Sequence, residues 1–217
     1  MSNKLYIFLF CIFLSAVAYS QPRMDVPEMS YGFHAGAIAG MVRFDPTVKQ
    51  SAKMPLMGAN GGFVFRYGNR KYTAIQLELN YMRRGWRETE TDYIAKLDYI
   101  EVPILMHLYV GKEVRGFLNL GPQIGVCFAQ SSMNIPDEPA EQHKPISKIF
   151  DWGIAGGLGM QVDSKVAGIY MLEARFNFSL GDLYSNHVGD FFSTSAPMNL
   201  SLNIGWLWPN KRNNKNK

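Results

Sequence analysis

The stretch "YIEVPILMHLYVG", residues 99–111, decides the fold because it alternates between two kinds of side chain. Every even-numbered position from Ile100 to Val110 is apolar, whereas the odd-numbered positions include Glu101, Pro103 and His107. Successive side chains of a β-strand point to opposite faces, so the carboxylate and the imidazole share one face. The stretch therefore predicts a strand with one apolar face and one partly polar face, and Pro103 predicts a bulge or a local twist.

The same alternation recurs along most of the chain. In "AIQLELNYMRR", residues 74–84, apolar side chains occupy odd positions while Gln76, Glu78 and Asn80 occupy even ones. Patterns of this kind predict eight strands of about ten residues, the length of transmembrane barrel strands. The predicted strands lie near 31–42, 59–67, 74–84, 99–110, 115–130, 150–162, 170–180 and 198–208.

The connections between these strands alternate in length. Long connections are predicted at 43–58, 85–94, 131–148 and 181–194, and short turns at 68–72, 111–114 and 163–167. Long loops at one end and tight turns at the other are typical of outer-membrane barrels, whose long loops lie outside the cell. The sequence therefore predicts an all-β fold, an eight-stranded antiparallel up-and-down transmembrane β-barrel with both termini in the periplasm.

The main alternative is a soluble barrel that encloses its apolar face. The interior of an eight-stranded barrel is narrow, and the polar face here is rich in Gly, Ala, Ser and Asn, whereas the apolar face carries many large side chains. Aromatic residues such as Trp152, Tyr170 and Trp206 fall near strand ends, where the interfacial girdles of membrane barrels lie. These features favour the transmembrane barrel.

Charged residues on the predicted inner face must find partners, because a buried charge without one is costly. By parity we expect Arg66, Arg115 and Arg175 to supply partners for Glu101 and His107. The expected lumen network is structural, and it consists of Arg66, Glu78, Glu101, His107, Arg115, Glu173 and Arg175.

The two ends of the chain predict export. Residues 1–20 combine a lysine, an apolar run and small residues, which is the pattern of a secretory signal peptide. We expect residues 21–30 to form an N-terminal periplasmic segment, residues 31–208 the outer-membrane barrel and residues 209–217 a basic, disordered tail. Removal of the signal peptide leaves Cys127 as the one cysteine, which excludes an internal disulfide.

Motifs for chemistry are weak. The sequence shows no phosphate loop, nucleophile elbow or metal-ligand spacing, so no catalytic residue, cofactor or metal is predicted. His143 and His187 lie in predicted outer loops near carboxylates, which keeps a loop-borne enzyme as an alternative. The formal net charge is +4, but the basic residues are scattered over turns and tail, which argues against a nucleic-acid partner.

Two adjacent segments carry a family resemblance. "DYIEVPILMHLYVG", residues 98–111, followed by "GFLNLGPQIGV", residues 116–126, resembles the paired strand motif of the PorT-like outer-membrane barrels of Bacteroidetes. The matching residues are Tyr99, Ile100, Glu101, Val102, Pro103, Ile104, Leu105, Phe117, Gly121 and Pro122. The resemblance implies an outer-membrane barrel, and the namesake's part in type IX secretion makes that role an alternative by analogy.

The expected function is that of a non-enzymatic outer-membrane barrel with a lumen filled by side chains. Its extracellular loops would serve structural, adhesive or partner-binding roles. The expected partners are outer-membrane lipid and lipopolysaccharide, with other envelope or secretion proteins as further candidates. A component or assembly factor of type IX secretion is the first alternative, and a small porin or a loop-borne outer-membrane enzyme the second. Eight strands make a wide channel difficult to build.

Overall fold

Eight antiparallel strands close into a barrel in the computed structural model. The structure describes residues 23–45, 53–88, 92–135, 146, 148–164, 166–181 and 194–210. Each strand pairs with its neighbour in sequence, and β1 pairs with β8 to close the wall. The strands are β1 (Arg23–Asp45), β2 (Lys53–Arg70), β3 (Thr73–Glu88), β4 (Ile94–Gly111), β5 (Val114–Met133), β6 (Phe150–Ser164), β7 (Gly168–Ser179) and β8 (Thr194–Asn210). The predicted fold class is confirmed.

The strands are longer than the alternation predicted. They run from 12 residues in β7 to 23 in β1. They take up nine of the 16 residues of the predicted connection 43–58 and five of the ten residues of 85–94. The first strand begins at Arg23 rather than near residue 31, so it includes most of the predicted periplasmic segment, and β8 continues to Asn210. The predicted signal peptide and residues 211–217 of the predicted tail lie outside the described residues.

The two ends of the barrel differ in their connections. We call the end that carries residues 71–72, 112–113 and 166–167 the short-turn end, and the opposite end the long-loop end. The N-terminal end of β1 and the C-terminal end of β8 both lie at the short-turn end, where Met29 pairs with Asn210. Among the described residues, no helix is long and apolar enough to cross a membrane.

The apolar face of the wall points outward. On β3, Ile75 is 60 % exposed and Leu79 is 55 % exposed, whereas Gln76, Glu78 and Asn80 between and beside them are buried. Along the other strands, inward-facing and outward-facing side chains alternate in the same way, because a closed sheet keeps one face inside. This orientation is the opposite of the one that a soluble barrel requires.

The wall has no bulge at Pro103, where the sequence predicted a bulge or a local twist. The pairing of β4 with β5 keeps one register from Tyr99 through Pro103 and shifts between Asp98 and Tyr99 instead. Next to the proline, the pairing of β3 with β4 is interrupted between Leu77 and Asn80 without a change of register. The pairing of β4 with β5 is likewise interrupted between Pro103 and Met106 without a change of register. The missing N–H of proline is therefore accommodated by gaps in the ladders rather than by an extra residue.

A glycine on β5 allows the wall to close tightly beside these gaps. A Cβ atom added to Gly121 would lie 2.0 Å from the backbone oxygen of Ile104 on β4. No side chain fits that space, so glycine at this position permits the close approach of two backbones.

Candidate functional site

The barrel interior is the candidate functional site, because it collects nearly all of the buried charge. Its side chains come from the alternate strand positions that face away from the apolar surface. Among the described residues, the buried charged side chains other than histidine are Arg66, Glu78, Arg84, Glu88, Glu101, Asp151, Glu173 and Arg175.

Arg175 on β7 is the centre of the main cluster. Its guanidinium donates to both oxygens of Glu78 on β3, at 2.5 Å from Nη1 and 2.7 Å from Nη2. It also donates to Glu173 on its own strand, at 3.1 Å from Nε and 2.7 Å from Nη2. All three side chains are at most 2 % exposed. One guanidinium thus pairs with two carboxylates at once, each through two hydrogen bonds, and bidentate pairing is the strong form of this interaction.

Amide side chains complete the hydrogen bonding of Glu78. Gln76 donates to Oε1 at 2.5 Å and Asn80 donates to Oε2 at 2.8 Å. His34 on β1 lies against the same group, with Nε2 2.7 Å from Asn80 Oδ1 and 3.6 Å from Glu78 Oε2. Glu78 therefore has partners on all sides, as a buried carboxylate requires.

Glu173 connects the cluster to the predicted site residue His107. Asn119 on β5 donates to Glu173 Oε1 at 2.8 Å, and its own Oδ1 lies 2.6 Å from His107 Nδ1. The imidazole packs between Tyr109 and Phe117, with ring centroids 5.3 and 5.0 Å away. These contacts hold the histidine by an amide and two aromatic rings rather than by a charged partner.

Arg66 on β2 occupies the short-turn side of the interior. It donates to Gln76 Oε1 and to Gln161 Oε1, each at 2.8 Å. Gln161 donates in turn to Asp163, which pairs with Arg115 at 2.8 Å. The Arg115 side chain is 23 % exposed, so it lies at the mouth of the barrel and not in the buried cluster.

A second cluster lies nearer the long-loop end, around Arg84 on β3. Arg84 Nη1 is 2.9 Å from Glu101 Oε1, and Nη2 pairs with Asp151 on β6. Ser179 donates to the same Asp151 oxygen at 2.7 Å. The Arg84 guanidinium also lies 3.7 Å from the ring centroid of Tyr99, a stacked cation–π contact. This cluster ties β3 to β4 and β6.

The partner of Glu101 differs from the expected arginines. Arg66, Arg115 and Arg175 were expected from parity, but the structure pairs Glu101 with Arg84. Arg84 has the same parity as Glu78 on the same strand, so the alternation itself contained the signal. The sequence prediction missed it because the strand pattern ends there in two consecutive arginines, of which Arg83 faces outward.

Apolar side chains pack at both ends of the two clusters around Arg175 and Arg84. At the short-turn end, Val64, Phe117, Met171 and Leu207 pack together. At the long-loop end a larger group consists of Val42, Trp86, Tyr93, Ala95, Leu97, Tyr99 and Cys127, with Ile146 packed against it. We call the group at the short-turn end the lower plug and the group at the long-loop end the upper plug.

The upper plug includes one residue between strands. Tyr93 lies before the start of β4 and is fully buried, and burial raises the pKa of its hydroxyl, which keeps the ring neutral.

A cavity of about 20 Å³ lies at the short-turn mouth between Glu28, Arg66, Tyr109 and Arg115. That is room for about one water molecule. Within the described residues, no three His, Cys, Asp or Glu side chains are grouped to hold a metal ion. His143 and His187 lie outside the described part of the chain. The interior geometry thus supports packing and charge pairing.

The outer wall shows two aromatic girdles. Tyr31, Tyr72, Tyr170, Trp206 and Trp208 are exposed toward the short-turn end, and Tyr81, Phe128, Phe150 and Trp152 toward the long-loop end. Beyond Tyr81 the outer surface of β3 and β4 becomes charged, and Arg83 pairs there with Asp98 at 2.7 Å. Aromatic rings mark the two membrane interfaces of a barrel. The charged surface therefore lies past the membrane at the long-loop end.

The fold is similar to solved structures of small outer-membrane proteins. OprG of Pseudomonas aeruginosa is 13 % identical with a TM-score of 0.50, and the alignment covers 84 % of this chain and 95 % of OprG. Ail, the attachment invasion locus protein of Yersinia pestis, solved with the heparin analogue sucrose octasulfate, is 13 % identical with a TM-score of 0.43, over 83 % and 99 % of the two chains. Outer membrane protein W of E. coli is 14 % identical with a TM-score of 0.41, over 82 % and 97 %.

Family membership follows from the sequence match. No curated protein matches the chain. The family described as "Outer membrane protein beta-barrel domain" matches residues 19–185, which is well over half of the 217 residues. With the closed wall, the outward apolar face and the two girdles, this match shows that the chain belongs to the outer membrane protein beta-barrel domain family and is an integral outer-membrane protein.

Proposed function

We propose that the protein is a closed, non-enzymatic barrel that acts through its loops and its membrane surface. The observation that carries this proposal is the filled interior, in which two apolar plugs enclose a charge-paired polar core. A solute would have to break buried ion pairs and displace packed aromatic rings in order to pass. Such a barrel serves as a stable platform, and binding would take place where the chain leaves the membrane.

The proposed orientation places the long-loop end outside the cell and both termini in the periplasm. Alternation of long and short connections supports it, since outer-membrane barrels have short periplasmic turns. The proposed partners at the outer end are lipopolysaccharide and other envelope proteins. Arg83 and Arg87 support the first of these, because both are about half exposed on the wall beyond the aromatic girdle, where headgroup phosphates lie.

Membership of the PorT-like barrels of Bacteroidetes is part of the proposal and rests on the strand motif. The described contacts give that motif a role in packing: Glu101 pairs with Arg84, Tyr99 stacks beneath the same guanidinium, and Gly121 lets β5 approach β4. A motif that stabilises the barrel interior is compatible with many loop functions. Participation in type IX secretion therefore remains a second candidate, supported by the resemblance alone.

Conductance in planar lipid bilayers tests the closed interior. The reconstituted barrel should give no discrete current steps under conditions in which an open porin, inserted in the same bilayer, conducts. Steady unitary currents from the barrel would refute the filled lumen and support the small-porin alternative.

Two further experiments separate the functional candidates. Deletion of the gene should leave secretion of type IX substrates intact if the barrel acts only through its own loops, and loss of that secretion would favour the second candidate. Proteolysis of intact cells should cleave the long connections and spare the N-terminus if the proposed orientation is correct. A cleaved N-terminus would reverse the orientation.

A further inference from the structure

An apolar groove of about 730 Å³ crosses the outer wall near the short-turn end. It runs over β4, β5 and β6, beside the start of β3, and its outward walls include Tyr72, Leu108, Val110, Leu118 and Leu158. Val110 is 70 % exposed and Leu158 is 66 % exposed, so the groove opens to the surroundings of the barrel and not to its interior. Its volume is within the range of small-molecule sites.

The groove exists because Gly116 on β5 has no side chain. Its paired residues on the two adjacent strands are Val110 on β4 and Met160 on β6, and the side chains of both point outward. A Cβ added to Gly116 would contact no atom within 4 Å, and its backbone conformation is ordinary. The gap is therefore unoccupied space that a larger residue could fill without strain, so the fold itself does not require a glycine here.

Two lysines lie in the short turns next to residues that line the groove. Lys71 directly precedes the lining residue Tyr72, whose carbonyl accepts a hydrogen bond from Tyr109 on β4 at 2.9 Å. Lys112 follows β4 two residues after Val110 and is exposed, as is its neighbour Glu113. Tyr72 belongs to the aromatic girdle, so the lysines lie at the height of lipid headgroups.

We propose that this groove binds one acyl chain of an anionic phospholipid, with the lipid phosphate at Lys71 and Lys112. Hydrocarbon is the medium that this part of the wall faces, and an empty groove forfeits dispersion contacts along its whole lining. The lysine ammonium groups add attraction for an anionic headgroup, about fivefold in affinity for each lysine near a membrane surface. The site is independent of the function proposed for the loops.

Native mass spectrometry of the full barrel tests the acyl-chain part. The barrel is reconstituted in nanodiscs of phosphatidylethanolamine and phosphatidylglycerol, released into detergent, and scored for retained lipid. We expect one retained phosphatidylglycerol in the wild type, its loss in Gly116→Trp, and its retention in Gly156→Trp. Gly156 is a matched control, because it also faces outward and an added Cβ would meet only Leu120 Cδ1, at 3.7 Å. Heat-dependent gel migration checks that each variant is folded.

A separate variant tests the proposed contact between the lipid headgroup and the two lysines. The double substitution Lys71→Gln and Lys112→Gln should lower the preference for phosphatidylglycerol over phosphatidylethanolamine by roughly an order of magnitude or more, from about fivefold per lysine. Equal lipid retention in wild type and Gly116→Trp would overturn the proposal, as would an unchanged preference in the double variant. A wild-type dimer that Gly116→Trp converts to monomer would also overturn it, since a second copy would then occupy the groove.

Discussion

Replacement of Arg175 by methionine should strongly destabilise the barrel. The guanidinium makes four contacts of 2.5–3.1 Å to Glu78 and Glu173, and all three side chains are at most 2 % exposed. Methionine keeps much of the volume but leaves two carboxylates facing each other without a cation. Removal of one partner from a buried ion pair costs about 3–5 kcal/mol, a large part of the typical stability of about 5–15 kcal/mol.

Urea unfolding in phospholipid vesicles, followed by tryptophan fluorescence and gel migration, measures this loss. With a slope of about 2 kcal/mol per molar urea, the midpoint should fall by about 2 M. The matched control is Arg115→Met. Arg115 is likewise paired with a carboxylate, that of Asp163, but the pair lies at the partly exposed mouth of the barrel. Exposed pairs contribute about 1 kcal/mol or less, so the control should shift the midpoint slightly.

A triple variant distinguishes charge from packing. Arg175→Met combined with Glu78→Gln and Glu173→Gln removes all three charges and keeps an amide oxygen for Asn80 and Asn119. Most of the lost stability should return, because a neutral interior no longer holds unpaired carboxylates. If Arg175→Met shifts the midpoint no more than Arg115→Met, or if the triple variant is no more stable than the single one, charge pairing does not stabilise this interior.

Two further predictions use neighbouring residues as controls. Arg84→Met should destabilise the barrel by about 3–5 kcal/mol, since Glu101 and Asp151 would lose their shared cation. Arg83→Met, on the outer surface, should leave the urea midpoint unchanged. Equal effects of the two substitutions would contradict the assignment of Arg84 to the inner face and Arg83 to the outer face. Gly121→Ala should lower the free energy of unfolding by about 1–3 kcal/mol, because the added methyl group would overpack against the β4 backbone. The control Gly116→Ala, at an open position, should have no measurable effect in the same assay.

The alternation predicted what depends on the two faces of the wall. Eight strands, their antiparallel order and the three short turns follow from it, because lipid and a narrow lumen impose different side chains on alternate positions. The inward parity of Glu78, Glu101 and Glu173 follows from the same rule. Their individual partners do not, because partners across the lumen depend on the diameter and stagger of the closed barrel.

The pattern failed where the strands leave the membrane. Beyond the girdle the outward positions need not be apolar, and Arg87 and Asp98 there fell outside the predicted strands. Inward positions at the same height, such as Trp86 and Leu97, are apolar and form the upper plug. The two faces exchange character at this level, so a rule that places apolar residues outward ends most of the strands too early there.

The lumen contacts also fix which strand positions can pair. Glu78 and Arg175 join β3 to β7, Arg66 and Gln161 join β2 to β6, and Arg84 reaches from β3 to Asp151 on β6. None of these strand pairs are neighbours in the wall. A shift of one strand by one residue would turn its inner polar residues toward lipid and break these cross-lumen contacts together. The cost of burying unpaired charge in hydrocarbon therefore helps to select a single register.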